Sequence, residues 1–379
     1  MERYPILIVG GGPVGLLLAC LLQRQGMACR VLERRCEPVP RSRAIGIHPP
    51  SIELLERIGL ARTFEDQAVV VRRGRAFANR QPIGSLSFES CPPPFRYVLS
   101  LPQAVNERLL AEHLEQLAPG SLMRGVEVLH IDPGPPPRVT LKTEQGEAVL
   151  EADVVLGCDG KRSLVRQALQ IPFDGASYPD AFVMGDFDDN TAHGTDAAIY
   201  LHDEGLIECF PLPGGKRRWV VAVERYRSQT SREELVQLVG VRLGHDLAKA
   251  VCHDASTFGV QHSLARSLAR GSVALVGDAA HVVTPIGGQG MNLGWVGARL
   301  LAEALQQHGV GDRALVDYDR RMRRVARQVI RRAEINMRLG RRQRLPAVRN
   351  TMVWALLHGP SRHLLARLFT MRGLERWPI

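Results

Sequence analysis

The stretch "YPILIVGGGPVGLLLACLLQRQGMACRVLERR", residues 4–35, limits the fold more than any other part of the chain. Pro5 to Gly10 predicts an apolar strand, Val14 to Gln25 a helix stopped by Gly26, and Ala28 to Glu33 a second strand. Gly10, Gly12 and Gly15 form GxGxxG where the motif carries meaning, after a strand and opening a helix. Such glycines permit a tight turn and let a pyrophosphate approach the helix N-terminus, here the Pro13–Val14 end, where unpaired N–H groups point outward. Glu33 closes the second strand about 20 residues on, where a carboxylate can accept both ribose hydroxyls. A merely tight turn leaves that acid unexplained. The segment therefore predicts an α/β fold of Rossmann type that binds a dinucleotide, and an acid at the ribose suits FAD and NAD equally.

A second glycine-rich turn separates the two. "GSVALVGDAAHVVTPIGGQGMNLGWVGARLLAEAL" places Asp278 just past a strand, Val273–Val276, and starts a helix near Gly290 that runs through Leu305. A polyol chain crossing a domain needs an acceptor for its hydroxyls, and Asp278 stands where one is required. A ring attached to that polyol would lie over the new helix N-terminus, around Gly288, Gly290, Met291 and Asn292. Partial positive charge there favours the negative charge a reduced flavin develops. The late turn thus predicts the ribityl and ring end of FAD, and the first turn its adenosine end. His281 reads as a packing residue, since nothing near it offers metal spacing, and no metal is expected.

Between the turns, "ADVVLGCDGKRSLVRQAL" is another apolar strand ending in Gly157-Cys158-Asp159-Gly160, with Ser163 and Arg166 on a following helix. In this order and at these separations the three blocks resemble the p-hydroxybenzoate hydroxylase family of single-component FAD monooxygenases. "GCDGKRSLVR" is similar to the family's GADGxxSxxR, with Cys158 in place of the usual alanine. "RSRAIGIHPPSIELLERIGL" resembles the segment that brings an arginine to the FAD phosphates, here Arg43 with Arg41 beside it. "LSLPQAVNERLL" resembles the segment whose glutamine, here Gln103, contacts the flavin. The resemblance adds Arg34 and Asp159 to the expected cofactor contacts and Pro285 as a backbone bordering ring and substrate. It departs at Gly297, near where relatives often carry an acid.

The organisation expected is a Rossmann-like FAD-binding domain, discontinuous over 1–72, 97–178 and 267–340. A β-sheet substrate domain (73–96 and 179–266) is inserted into it, and a helical segment (341–379) follows. "GLIECFPLPGGKRRWVVAVERY" has the signature of a hairpin within that sheet. Alternation selects Met184, Tyr200, Ile207, Cys209 and Val221 as candidate substrate contacts, each of which plain core would explain as well.

Composition narrows the setting. The 379 residues suit two joined domains, and seven cysteines without a CxxC pair favour a reducing, cytoplasmic location over a disulfide framework. The uncharged N-terminal run has neither the basic flank nor the cleavage site of a signal peptide, and no other run is long enough to span a membrane. The net charge of +10 is local: residues 320–349 hold twelve arginines against one acid, Glu334, and the remainder is near neutral. Without interleaved aromatic groups that block does not read as a nucleic-acid site. A solvated helix with an apolar face packed at home, and at most weak lipid association, is expected.

The activity the resemblance implies is hydroxylation of an aromatic or otherwise electron-rich substrate. NADH or NADPH would reduce tightly but non-covalently held FAD, O2 would add at the flavin C4a, and one oxygen atom would be transferred. No side chain need be a nucleophile, and none is identified as a substrate base. A flavin-bound sequestering protein is the alternative. A halogenase is disfavoured because the first lysine is Lys142 and Trp-x-Trp is absent. The protein is expected to be a monomer or homodimer.

Overall fold

The computed structural model describes residues 2–37, 44–224, 226, 231–284, 287–342 and 345–373. Two eight-stranded sheets and a small three-stranded one organise these residues. Five strands of the first sheet are parallel, in the order 273–275, 146–157, 2–9, 29–33 and 122–124. Their cores read as unbroken apolar runs because both faces are covered; Ile6, Leu7, Ile8, Val154, Val155 and Leu156 have no solvent exposure. The first helix spans Pro13–Arg24 and the late helix Gln289–His308.

Register brings the three motifs together. Val9 pairs with Gly157, and Gly157 with Leu275, so three strands from distant parts of the chain end side by side. Each is followed by one of the glycine-bearing blocks. Chain order separates them by more than a hundred residues, and the parallel ladder places them on one edge. A crevice outside the carboxyl ends of such strands is where this class of sheet binds its ligands.

The late helix is pinned onto the first. Trp295, fully buried, donates its Nε1–H to the Pro13 carbonyl at 2.9 Å. Gly294 lets Val14 approach so closely that an added β-carbon would lie 2.6 Å from it. About a turn further along, Gly297 likewise admits close neighbours, facing Met322 and Tyr318 of the arginine-rich helix Asp312–Gly340. At Gly297 this chain uses the space for helix–helix packing.

The second sheet has strand order 281–282, 252–265, 173–188, 216–223, 205–212, 197–202, 73–78 and 81–87. It includes the expected hairpin, Gly205–Leu212 and Lys216–Val223, joined by a turn with Gly214 and Gly215 at positive φ. One face is covered by the helix Arg232–Leu243, whose Leu235 and Val239 pack with Ile207, Cys209, Trp219 and Val221. The other face looks toward the crevice.

The arginine-rich helix buries Leu315, Tyr318, Met322, Val325 and Val329. Several of its basic groups are paired rather than simply solvated: Arg321 contacts Glu303 and Asp317, and Arg341, just past the helix, grips Asp180 with two nitrogens. Two short helices follow, Pro346–His358 and Arg362–Phe369.

Candidate active site

A single cavity of about 860 Å³ runs from the first glycine turn to the second sheet. Gly10, Gly12, Pro13, Val14, Glu33 and Arg34 line one end, and Gly288, Gly290 and Met291 line the middle. Gln103, Asp159 and Asp278 also face it. Arg41, Arg43 and Pro285 lie outside the described residues.

Glu33 is held firmly. One carboxylate oxygen accepts the Gly11 N–H at 2.7 Å, and the other accepts the Arg35 Nε–H at 2.8 Å and the Arg35 backbone N–H at 2.9 Å. Burial acts to raise its pKa, but these donors together hold it below the usual carboxylate range. Arg34, expected as a cofactor contact, lines the cavity, while its neighbour Arg35 fixes the acid. Arg35 also lies 3.9 Å from Glu107, whose other oxygen takes the Gln103 amide N–H at 2.7 Å.

Asp278 is the opposite case. Its side chain presents surface to the cavity while protein closes round the rest, so burial pushes the carboxyl up to about 6, with Lys161 opposing. It makes no hydrogen bond to a described residue. Asp159 is intermediate: one oxygen accepts the Val165 N–H at 3.1 Å, and the other is buried without a partner among the described residues. Burial raises its pKa too. Arg166 joins this block to the late turn, donating to the Ala279 and Lys161 carbonyls at 2.9 and 2.8 Å.

Two expected cofactor contacts serve packing instead. Asn292 is 1 % exposed and off the cavity wall, its amide spent on the His48 N–H and on the Gly46 and Gly288 carbonyls. It ties the late turn to the segment after Arg43. Gly15 is also off the wall; an added β-carbon would fall 2.0 Å from the Gly10 carbonyl oxygen. His48, not anticipated, lines the cavity and donates its Nε2–H to the Gly287 carbonyl at 3.0 Å. Burial pushes its pKa down to about 4, so the ring is neutral.

The substrate-contact expectation needs correction. Met184 lines the cavity, but Tyr200, Ile207, Cys209 and Val221 point to the other face, under the helix Arg232–Leu243. Their neighbours in sequence Ile199, Glu208, Phe210 and Val220 face the cavity, as does Arg218. Alternation holds, and for all but Met184 the parity is reversed, because the more apolar of two faces goes to the helix-covered core. Phe369 from the last helix adds a wall, stacked on Phe88 at 5.7 Å. No sequence pattern announces it.

These features test the fit for a flavin dinucleotide: three strand ends with opened turns, a restrained ribose-type acid, and a second carboxylate facing the cavity without a partner among the described residues. They fit. A family model described as "FAD binding domain" matches residues 3–333, and the chain belongs to that family. It is 30% identical to the para-nitrophenol 4-monooxygenase of Pseudomonas sp. (strain WBC-3), over 83% of this chain and 82% of that one. It is 33% identical to the rifampicin monooxygenase of Streptomyces venezuelae, over 77% of this chain and 61% of the relative. The chain spans about three fifths of the length of several curated relatives that it matches. The crystal structure of p-nitrophenol 4-monooxygenase PnpA from Pseudomonas putida DLL-E4 superposes with a TM-score of 0.90 over the full length of both chains, at 25% identity.

Proposed function

We propose that this chain is an FAD-dependent monooxygenase that hydroxylates an aromatic substrate at the expense of O2 and NADH or NADPH. The observation that carries the reading is Asp278, a carboxylate facing the cavity at a strand end in register with the first glycine turn. Relatives named for nitrophenol and rifampicin oxidation support the reaction class. FAD, when bound, would take a hydride from the nicotinamide and activate dioxygen for transfer of one oxygen atom.

The chain's own residues bind, orient and exclude water. Gly12 and Val14, at the start of the first helix, would present backbone N–H groups to the pyrophosphate, with Gly10 and Pro13 shaping the turn, and Glu33, fixed by Arg35, would accept from the ribose. Asp278 would accept from the ribityl hydroxyls. Gly288, Gly290 and Met291 form the start of the late helix, whose dipole favours negative charge on the ring. Phe182, Met184, Ile199, Phe210, Val220 and Phe258 would give the substrate a dry, apolar wall. A reducing cytoplasmic setting, and a monomer or homodimer, remain part of this proposal.

The test is extraction of flavin from purified protein, followed by NADH and NADPH oxidation with a panel of phenols, quinolones and polyketide-type aromatics. FAD in the extract and substrate-stimulated oxidation, with a product heavier by one oxygen atom, are expected. FMN, or no flavin even after reconstitution, would overturn the cofactor assignment. A yellow protein that neither nucleotide reduces with any ligand would point to sequestration instead.

A further inference from the structure

On its second-sheet wall the cavity holds a buried acid that the cofactor reading does not use. Glu208 sits in the strand Gly205–Leu212, within "GLIECFPL", and is 5 % exposed. Its side chain faces the cavity, and it makes no hydrogen bond or ion pair with a described residue. A carboxylate in an apolar wall is costly unless something satisfies it. The neighbouring cation does not: Arg218, two positions along the adjacent strand from Val220, the residue opposite Glu208, is bound through two nitrogens to Asp186 at 2.6 and 2.8 Å. On the strand's other side Ile199 is opposite, and Met184 and Phe258 complete that wall. Elsewhere on the cavity wall the acidic and basic groups are His48, which is neutral, Asp278, Asp159, Lys161 and Arg162, and, around the first turn, Glu33, Arg34, Arg35, Glu107 and Glu127.

Resting on the monooxygenase reading, we infer that Glu208 is the substrate-recognising base of this enzyme, accepting the hydrogen bond of a ring hydroxyl and taking its proton. The substrate class is therefore a phenol or enol rather than a bare arene or an ether. In the step, the substrate O–H bond breaks, a carboxyl O–H bond forms on Glu208, and the electron pair stays on the substrate oxygen. That oxygen then enriches the ring carbons that accept the incoming oxygen atom. No further reactant is needed, and the proton is returned to solvent when product leaves. Burial alone raises the Glu208 carboxyl to about 7, close to the working pH at which a proton acceptor is most effective. Hydrophobicity selects aromatic rings in general; this one acid selects among them.

The experiment uses oxidised holoprotein and two probes of one shape, 1-naphthol and 1-methoxynaphthalene, with binding read from the flavin spectrum. Wild type should prefer the naphthol by roughly tenfold or more, the worth of a hydrogen bond to a charged acceptor. The preference should strengthen as pH rises through about 7, as Glu208 ionises. In Glu208→Leu the preference should vanish. In Glu208→Gln, which keeps shape and an acceptor oxygen, the pH dependence should vanish and turnover should fall more than affinity. An unchanged naphthol preference in a flavin-replete Glu208→Leu protein overturns the inference. So does a wild type that binds both probes alike, or a retained pH dependence in Glu208→Gln. If Glu208→Leu does not hold flavin, Glu208→Gln decides. The oxidation assay on wild type stands apart: its failure removes the monooxygenase reading, while the probe preference still reports on Glu208.

Discussion

The two glycine-rich turns look alike in sequence and differ in what holds them. At the first, glycine is demanded by crowding: Gly10 has φ 109°, and a β-carbon there would lie 2.5 Å from the Cys158 carbonyl oxygen. At the late turn the nearest atoms to such a carbon are 3.6 Å away at Gly287 and 3.7 Å at Gly288. There glycine supplies a left-handed backbone, with φ 81° and 64°, just before the helix begins. The acids differ in the same sense. Glu33 is locked by backbone and arginine donors, whereas Asp278 has no partner on a described residue and faces the cavity. One turn is a crowded joint and the other a roomier rim, held from outside by His48 on the Gly287 carbonyl and Asn292 on the Gly288 carbonyl.

The hardest blow to that comparison falls on the joint. Gly15→Val should abolish folded holoprotein, because its β-carbon collides with backbone that cannot move away. Gly287→Ala meets no such wall, and strain at positive φ should cost it only about 1–2 kcal/mol. Soluble yield and melting temperature of the two variants compare them; equal stability would erase the distinction.

At the rim, Asp278→Ala should weaken FAD by roughly ten- to a hundredfold, the loss of a charge-assisted hydrogen bond. Cys158→Ala, which removes only packing, should weaken it much less. Fluorimetric titration of apoprotein with FAD measures both, and equal retention would remove the ribityl role.

Acidity sharpens the contrast. The folded pKa of Asp278 is raised to about 6, so its contribution to apoprotein stability is full below the ordinary carboxyl range and is lost as pH rises through about 6. FAD affinity should run the other way, since only the ionised carboxylate gives the stronger acceptor. Glu33, whose pKa is lowered, stays ionised across that window. Titrations in wild type and Asp278→Asn should therefore diverge above about pH 6 and converge below it.

The smallest effect concerns the basic C-terminal region. Its helix buries an apolar stripe and pairs several arginines, yet Met352, Trp354 and Leu364 beyond it are exposed. Flotation with anionic vesicles should show weak association that moderate salt removes. Association that survives salt would identify a peripheral membrane protein. Among the described residues no helix is long and apolar enough to cross a bilayer.

Much of this was legible in the chain itself. Periodicity located the first strand and helix to within a few residues, and glycine spacing with Glu33 and Asp278 identified both turns. Those signals are local, set by backbone conformation and by the apolar runs of a doubly covered parallel sheet. The substrate wall was not legible. A strand such as "GLIECFPL" fixes that residues alternate, and says nothing of which side a helix will cover. Tertiary structure sent Ile207 and Cys209 to the core and left Glu208 and Phe210 on the cavity. It also brought His48 and Phe369 to the same wall from opposite ends of the chain. The sequence by itself determined which strands, turns and acids this protein has, because each depends on near neighbours. Only the packed fold decided which faces meet the ligand, because burial is shared among segments that never see one another along the chain.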